Sequence, residues 1–424
     1  MARVAFLSPL PPAPTGIATY ARAVLEQLQA SDAAREHEIE PVWPIGRAAD
    51  RTVWESDVAV YQLGNNVEFH REIYVLAVRH PGVVVLHDLA LDDFVRALID
   101  LEDPLGPRSA LEARAARARL EASGMEVGGP LATPWCALAV RRARTVIVHS
   151  EFGRRYLEAT GCRTPIVVAP HPVIDAREGR AQRRAERRVA ARAAGGEPLV
   201  GVLGDLGPAK GIEAVLAAVA SLREPVRVAL VGRTIPGFDP EAAVAARGLA
   251  DRVIVERDVG DAVFEAWVRT SDVVVNLRHP HRGEVSGTLI RAMREGKPAV
   301  VSAVGTYLDL PDDAVVRVPA GPPDPGALAE ALGPLVSDPS LRRRVGDRAA
   351  AHVAEIRRAD RTARAYVEAI DRVVELARDP ERRALARWAG ALADLGAVGE
   401  PGLRYGVRYA EALRELTSRA SPGT

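Results

Sequence analysis

Hydrophobic residues in this chain gather in short unbroken runs, separated by longer stretches of helical period. In the first half the runs are Val4–Ser8, Val58–Leu63, Val83–His87, Val146–His149 and Ile166–Ala169. In the second they are Leu199–Leu203, Val226–Val231, Val253–Glu256, Val273–Leu277, Ala299–Ser302 and Val315–Val318. Most are continuous and β-branched rather than alternating, the pattern of parallel strands buried on both faces. Between them the spacing predicts helices over Ile17–Leu28, Ile212–Leu222, Val263–Thr270, Thr288–Glu295 and Ala327–Leu332. Strand and helix alternate in two sets, which predicts an α/β chain of two Rossmann-like, doubly wound parallel sheets.

Polarity marks the expected boundaries. Residues 177–197 begin REGRAQRRAERRVAARAAGG, an Arg-rich segment closed by two glycines. It is expected to be an exposed helix or linker joining a first domain, 1–176, to a second, 198–379. A basic helix of this kind can touch anionic lipid, which leaves a peripheral membrane contact open. Its apolar face holds only alanines and one valine, so a solvated connector fits better. Beyond Pro339 the pattern is helical over Leu341–Val353, Ala359–Ala377 and, after Pro380, Arg382–Leu395. Leu385, Trp388, Ala389, Leu392 and Leu395 recur at helical spacing and must be buried against something. Residues 380–424 are therefore expected to pack back on the first domain, near Ile17–Leu28.

Bulk properties narrow the class. A chain of 424 residues exceeds one compact core. Its 56 basic and 56 acidic residues cancel, which argues against a general nucleic-acid binder. Arginine is abundant, and the only lysines are Lys210 and Lys297, so each stands out. Two cysteines, Cys136 and Cys162, are too few for a disulfide framework. Neither a signal peptide nor an apolar span of about 18 residues is read, so a cytoplasmic location is expected. The oligomeric state is not legible.

Ligands of such sheets bind beyond the carboxyl ends of the strands, so the loops there hold the candidates. PLPPAPTGIATY, Pro9–Tyr20, follows the first strand and opens a helix. Gly16 would let a phosphate approach the helix start, although a plain turn capped by Thr15 explains the same residues. Gly64-Asn65-Asn66 closes the second run, and His87-Asp88 closes the third. A histidine at a sheet rim can donate a hydrogen bond or exchange a proton, or the pair can simply cap the next helix. His149 is similarly placed, but Ser150 as a helix cap accounts for that segment.

In the second half, VGVLGDLGPAKGIEAV ends a buried strand in a glycine-rich turn carrying Lys210. A lysine beside a helix start attracts phosphate, without the spacing of a P-loop. The segment LRHPHRGEVSGTLIRAMREGKP places Arg282, Gly283, Glu284, Ser286 and Gly287 before a helix beginning near Thr288. Its amides suit an anion and the Glu284 carboxylate suits sugar hydroxyls, while an ordinary helix-start charge is the plainer alternative.

Taken in order, PLPPAPTGIATY, VVVLHD, HSEFGRRYL, GDLGPAKG and RHPHRGEVSGTLIRAMREGKPAVVS resemble the retaining family 4 glycosyltransferases of GT-B fold, from about Val4 to Ala377. The resemblance implies a hexose moved from a nucleotide-diphosphate sugar to a glycan, lipid or small-molecule acceptor. It also implies no metal and no cofactor besides the donor. By it, Gly16 lies against the donor diphosphate, His87 near the transferred sugar, and Lys210 on the diphosphate. Glu284 with the Ser286, Gly287, Thr288 and Leu289 amides holds sugar and phosphate. Asn65, Asn66 and Asp88 fall on the acceptor side.

Two positions depart from the family pattern. Asp205 stands where an arginine is usual, so the missing cation is expected from Arg233 or Arg282. Arg291 stands where a ribose-binding glutamate is usual, and Glu284 is one place out of register. The GExSG pattern thus reads as a variant subgroup. A sugar-nucleotide epimerase of the same architecture and a non-catalytic GT-B subunit are the competing readings. A nicotinamide-dependent enzyme is disfavoured because PLPPAPTGI lacks G-x-G-x-x-G.

Overall fold

The structure, a computed structural model, describes residues 1–175, 178–358 and 360–378. Two six-stranded parallel sheets dominate it. The first contains Ala2–Leu7 (β1), His37–Val42 (β2), Val58–Leu63 (β3), Val83–Leu86 (β4), Thr145–Val148 (β5) and Ile166–Val168 (β6), in the order β2-β1-β3-β4-β5-β6. The second contains Leu199–Leu203 (β7), Arg227–Gly232 (β8), Val253–Arg257 (β9), Val273–Asn276 (β10), Ala299–Ser302 (β11) and Val316–Val318 (β12), in the order β12-β11-β10-β7-β8-β9. This is the expected α/β architecture. β2 is the strand that the pattern does not announce. Its HEIEPV is half-exposed at the sheet edge, where Pro41 is tolerated, so it lacks the apolar run that marks the others.

Both faces of the first sheet are covered, and the period of two shows in which residues meet which layer. Ala5, Leu7, Tyr61, Leu63, Val84, Leu86, Val146 and Val148 pack against one layer of helices, including Val67–Arg79 and Asp92–Asp100. Their strand neighbours Val4, Phe6, Val60, Val83, Val85 and Ile147 point the other way, onto Gly16–Ala30 and Arg361–Arg378. The last helix starts beyond the second sheet in sequence yet lies on the first sheet. Ala363, Tyr366, Ala369, Ile370 and Val373 are buried there with Tyr20 and Val24. The return to the first lobe therefore precedes residue 380, and the 361–378 helix does not belong to a second domain running to 379. Residues 380–424, expected to make that return, lie outside the described residues.

The Arg-rich segment also differs from expectation. Its helix, Arg180–Ala193, buries Gln182, Ala185 and Val189 and packs on Asp261–Thr270. Ala185 and Val189 join Trp267 in one cluster. Small side chains suffice because the indole fills the space between the helices. Arg188 and Arg192 pair with Glu256 at 3.0 and 2.8 Å, so this helix is a wall of the second lobe rather than a free connector.

Strand order fixes where a ligand can bind. In the first sheet the winding reverses between β1 and β3, in the second between β7 and β10, and the loops separate there into a crevice. The turn after β7 carries Lys210, and the loop after β10 carries Glu284.

Because Ile370 is fully buried, Ile370→Ala should cost about 2–5 kcal/mol on chemical denaturation. Hydrogen exchange should then show lost protection in β1, β3 and Gly16–Ala30. Loss confined to the second sheet would contradict the docking described above.

Candidate active site

Lys210 lies in a short turn, Pro208–Lys210, that leads through the left-handed Gly211 into the helix Ile212–Ser221. It is 5% exposed, and its Nζ donates to the Leu203 carbonyl at 2.6 Å. Burial drives its pKa well below the ordinary lysine value, and the neighbouring Arg278 pushes the same way. Gly204 lets this happen. A Cβ there would lie 3.1 Å from Lys210 Nζ and 3.2 Å from Thr288 Oγ1, so ammonium, hydroxyl and glycine share one small space.

Arg278, which the sequence reasoning passed over, is the second cation. It lies two residues past the end of β10, and its Nε donates to Glu284 Oε1 at 2.9 Å. The signal was its place right after a buried strand, obscured by the many arginines of this chain. Both expected substitutes have partners within the protein. Arg233 pairs with Asp205 at 2.9 Å and donates to the Pro14 carbonyl at 2.6 Å, linking the two lobes. Arg282 directs its guanidinium to Asp92 and Asp93, at 2.9 and 3.0 Å.

Glu284 is fixed from three sides. Arg278 holds one oxygen, the Arg282 amide donates to the other at 2.7 Å, and Thr306 Oγ1 donates to its carbonyl at 2.8 Å. Ser286 caps the helix Gly287–Arg294 by accepting from the Leu289 amide at 3.2 Å. The Gly287 and Thr288 amides therefore remain as the donors of that helix start. A Cβ on Gly287 would come within 3.2 Å of His171 Nε2, a first-lobe residue. Arg291 turns away, pairing with Glu265 at 3.0 Å beside the Phe264 ring, and Arg294 takes the other Glu265 oxygen at 2.6 Å.

The glutamate loop is seated on the first lobe. The Leu89 and Ala90 amides donate to the Arg282 carbonyl at 2.9 and 3.0 Å. Gly283 has φ 84°, and a Cβ on it would sit 2.6 Å from Leu89, so glycine is required twice over. Gly16 differs: a Cβ there would meet nothing within 4 Å, so packing does not demand glycine.

Across the crevice, imidazoles gather at three successive strand ends. His87 follows β4, His149 follows β5 and His171 follows β6. The Tyr20 ring stands 4.5 Å from His87, 5.0 Å from His149 and 5.1 Å from His171. Burial holds all three neutral, with His149 pushed down to about 4, His171 to about 3 and His87 well below its ordinary value. Ser150 does cap its helix, donating nothing to this cluster and accepting from Gly153 at 3.1 Å. His149 nevertheless belongs to the group, a second role that sequence reasoning missed because the cap already explained the segment.

Asn65 and Asn66 have structural work. Asn66 caps Val67–Arg79, accepting from the Glu68 amide at 2.8 Å. Asn65 accepts from the Phe94 amide at 3.0 Å and donates to Asp93 at 3.1 Å, fastening the helix Asp92–Asp100. Asp88 accepts the Asn65 amide at 3.0 Å, while burial, with Glu284 opposite, raises its carboxyl to about 7.

Two sheets with crevice-facing loops, a buried cation pair on one side and histidines on the other, define a protein of the GT-B class. Residues 197–338 match the glycosyl transferases group 1 family model. The second lobe is thus a group 1 glycosyl transferase domain, and the described chain has the two-sheet GT-B architecture. The chain is 30% identical over 174 residues to an MMP α-(1→4)-mannosyltransferase of Mycolicibacterium hassiacum, covering 39% of this chain and 42% of that one. It is 32% identical over 160 residues to a D-inositol 3-phosphate glycosyltransferase of Xylanimonas cellulosilytica, covering 36% and 38%. These matches span less than half the length of either relative. The fold is also that of Anabaena HepE in complex with UDP and glucose, with TM-score 0.58, 17% identity, and coverage of 88% of this chain and 99% of that one.

A carboxyl raised to about 7 in the folded state stabilises the fold below its unfolded pKa of about 4 and loses that contribution as pH rises through 7. Wild-type stability should therefore fall across this window through Asp88, and Asp88→Asn should remove that part of the slope. Urea denaturation at a series of pH values measures it; parallel slopes would mean that Asp88 is not desolvated in the folded protein.

Proposed function

We propose that this protein transfers a hexose from a nucleotide-diphosphate sugar to a glycan, lipid or small-molecule acceptor, with retention of configuration. One observation carries the reading. Lys210 and Arg278 are neighbouring cations at a buried strand end, and among the described residues Lys210 has no carboxylate within ion-pair distance. Two like charges in a poorly solvated place are costly until an anion arrives. A diphosphate would take the Lys210 ammonium together with the Gly287 and Thr288 amides, whose helix start favours negative charge.

Departure of the nucleoside diphosphate builds negative charge on the leaving oxygen. Donors already aimed at that charge stabilise it without reorganising. Lys210, Arg278 and the helix start would supply that stabilisation, so we read the reaction as needing neither a metal nor a cofactor besides the donor. Glu284, immobilised by Arg278 and the Arg282 amide, would accept from hydroxyls of the transferred sugar. His87 would meet the sugar or acceptor from the opposite lobe, with Asp88 beside it.

Similarity to a mannosyltransferase and an inositol phosphate glycosyltransferase supports a sugar-nucleotide donor, over the part of the chain they match. The Arg291–Glu265 pair favours a departure at the ribose. The carboxylate near that helix is already committed to two arginines, so the ribose hydroxyls must find other partners.

Hydrolysis or transfer assays over uridine, guanosine and adenosine diphosphate sugars should reveal a donor that is consumed equally well with a chelator present. Lys210→Ala should then weaken calorimetric affinity for that donor by about 1.5–3 kcal/mol, the scale of a hydrogen bond to a charged group. Undiminished affinity would remove Lys210 from the site, and no turnover of any donor would favour the non-catalytic reading.

A further inference from the structure

A chain of buried hydrogen bonds runs from the closing helix to His87. Tyr366, on Arg361–Arg378, has its hydroxyl 2.8 Å from that of Tyr20. Gln62 Nε2 donates to the Tyr366 hydroxyl at 3.1 Å, and Gln62 Oε1 stands 2.8 Å from His87 Nε2. Gln62 and Tyr366 are both fully buried, and the His87 amide is itself held by the Leu63 carbonyl at 2.9 Å. No candidate role in the transfer reaction has touched Gln62 or Tyr366.

Polarity along the chain is directional. An amide oxygen can only accept, so the hydrogen between Gln62 and His87 must sit on His87 Nε2. A neutral ring protonated there has a bare Nδ1, and that nitrogen points away from Gln62. Among the described residues no hydrogen bond to Nδ1 is made, and His87 is partly exposed at the strand end. Burial among Tyr20, His70, His149 and His171 keeps the ring neutral, which preserves the distinction between its nitrogens.

We propose that Gln62 and Tyr366 are positioning residues for His87: they fix the Nε2–H tautomer and ring angle, so that Nδ1 faces the crevice only as an acceptor. The group it meets must then carry a hydrogen, a hydroxyl of sugar or acceptor rather than a phosphate oxygen. Because Tyr366 belongs to the crossing helix, the seating of that helix and the orientation of the histidine are one arrangement. This inference rests on the transferase reading for its kinetic consequence but not for its spectroscopic one.

The test uses the full chain with 15N-labelled histidine. Long-range 1H–15N spectra near neutral pH report the tautomer of each ring, with His87 assigned by its loss in His87→Gln. Wild type should show Nε2–H. Gln62→Met, whose thioether is only a weak acceptor, should populate Nδ1–H and lower kcat for UDP-glucose or GDP-mannose hydrolysis about tenfold, with KM little changed. Tyr366→Phe should act in the same direction by freeing the amide to flip. Gln62→Glu keeps an acceptor, so it should restore Nε2–H and raise the His87 titration, since a carboxylate favours the charged ring. The titratable groups around that ring, Tyr20, His70, His149 and His171, are the same in each comparison. Nδ1–H in the wild type, or an unaltered tautomer and kcat in Gln62→Met and Tyr366→Phe alike, would overturn the proposal. If wild type turns over neither donor, the transferase reading loses support while the spectra still decide the positioning.

Discussion

Lys210 reaches the rim of β7 with its ammonium almost out of contact with solvent, and Arg278 arrives beside it from β10. Desolvating one cation is unfavourable; placing a second beside it adds repulsion. The protein answers this with two carboxylates, Asp205 nearby and Glu284 in direct contact with Arg278, and with carbonyl oxygen from Leu203. Everything else about the second-lobe rim follows from accommodating that pair. Gly204 leaves room for the ammonium beside Thr288, and a Cβ on Gly232 would meet the Gly204 carbonyl at 1.9 Å, so both turns are pressed together by the strands beneath them.

Fixing Glu284 in this way also fixes the loop that carries it, and that loop is the bridge to the first lobe. Its Arg282 carbonyl receives two first-lobe amides while the guanidinium meets Asp92 and Asp93. Gly283 allows the backbones to approach at all. Electrostatics on one side and backbone hydrogen bonds on the other therefore meet in a segment of a few residues. Arg233 on the Pro14 carbonyl and Arg155 on Asp309 make further contacts between the lobes, through exposed and weaker partners.

The first lobe depends on a different constraint, the need to cover both faces of a parallel sheet. Gly16–Ala30 covers only part of one face, and Arg361–Arg378 completes it. Tyr20 and Tyr366 meet in that layer, so packing that serves the core also delivers hydroxyls to the edge of the crevice.

Local pattern was enough for much of this. Continuous runs such as Val83–Leu86 and Leu199–Leu203 identified buried parallel strands, because a strand covered on both faces has no polar side to interrupt it. Turn chemistry placed Lys210 and Glu284 after strands, and strand ends are where ligands of these folds bind. What the sequence could not hold was which rims share a crevice. β2 is polar because it is an edge, and only pairing shows it to be a strand. Arg278 is one arginine among many until Glu284 and Lys210 surround it, whereas Arg233 and Arg282 look equivalent in sequence and face other partners. Asn65 resembled a ligand residue and became a fastening for the next helix. Sequence by itself determined the two sheets, their parallel sense and the loops worth considering, since hydrophobic period and turn residues act over a few positions. Only the tertiary structure decided that the closing helix lies on the first sheet, that three imidazoles surround Tyr20, and that Gln62 and Tyr366 stand behind His87, because those contacts join residues from 25 to 346 positions apart and depend on which surface is left uncovered.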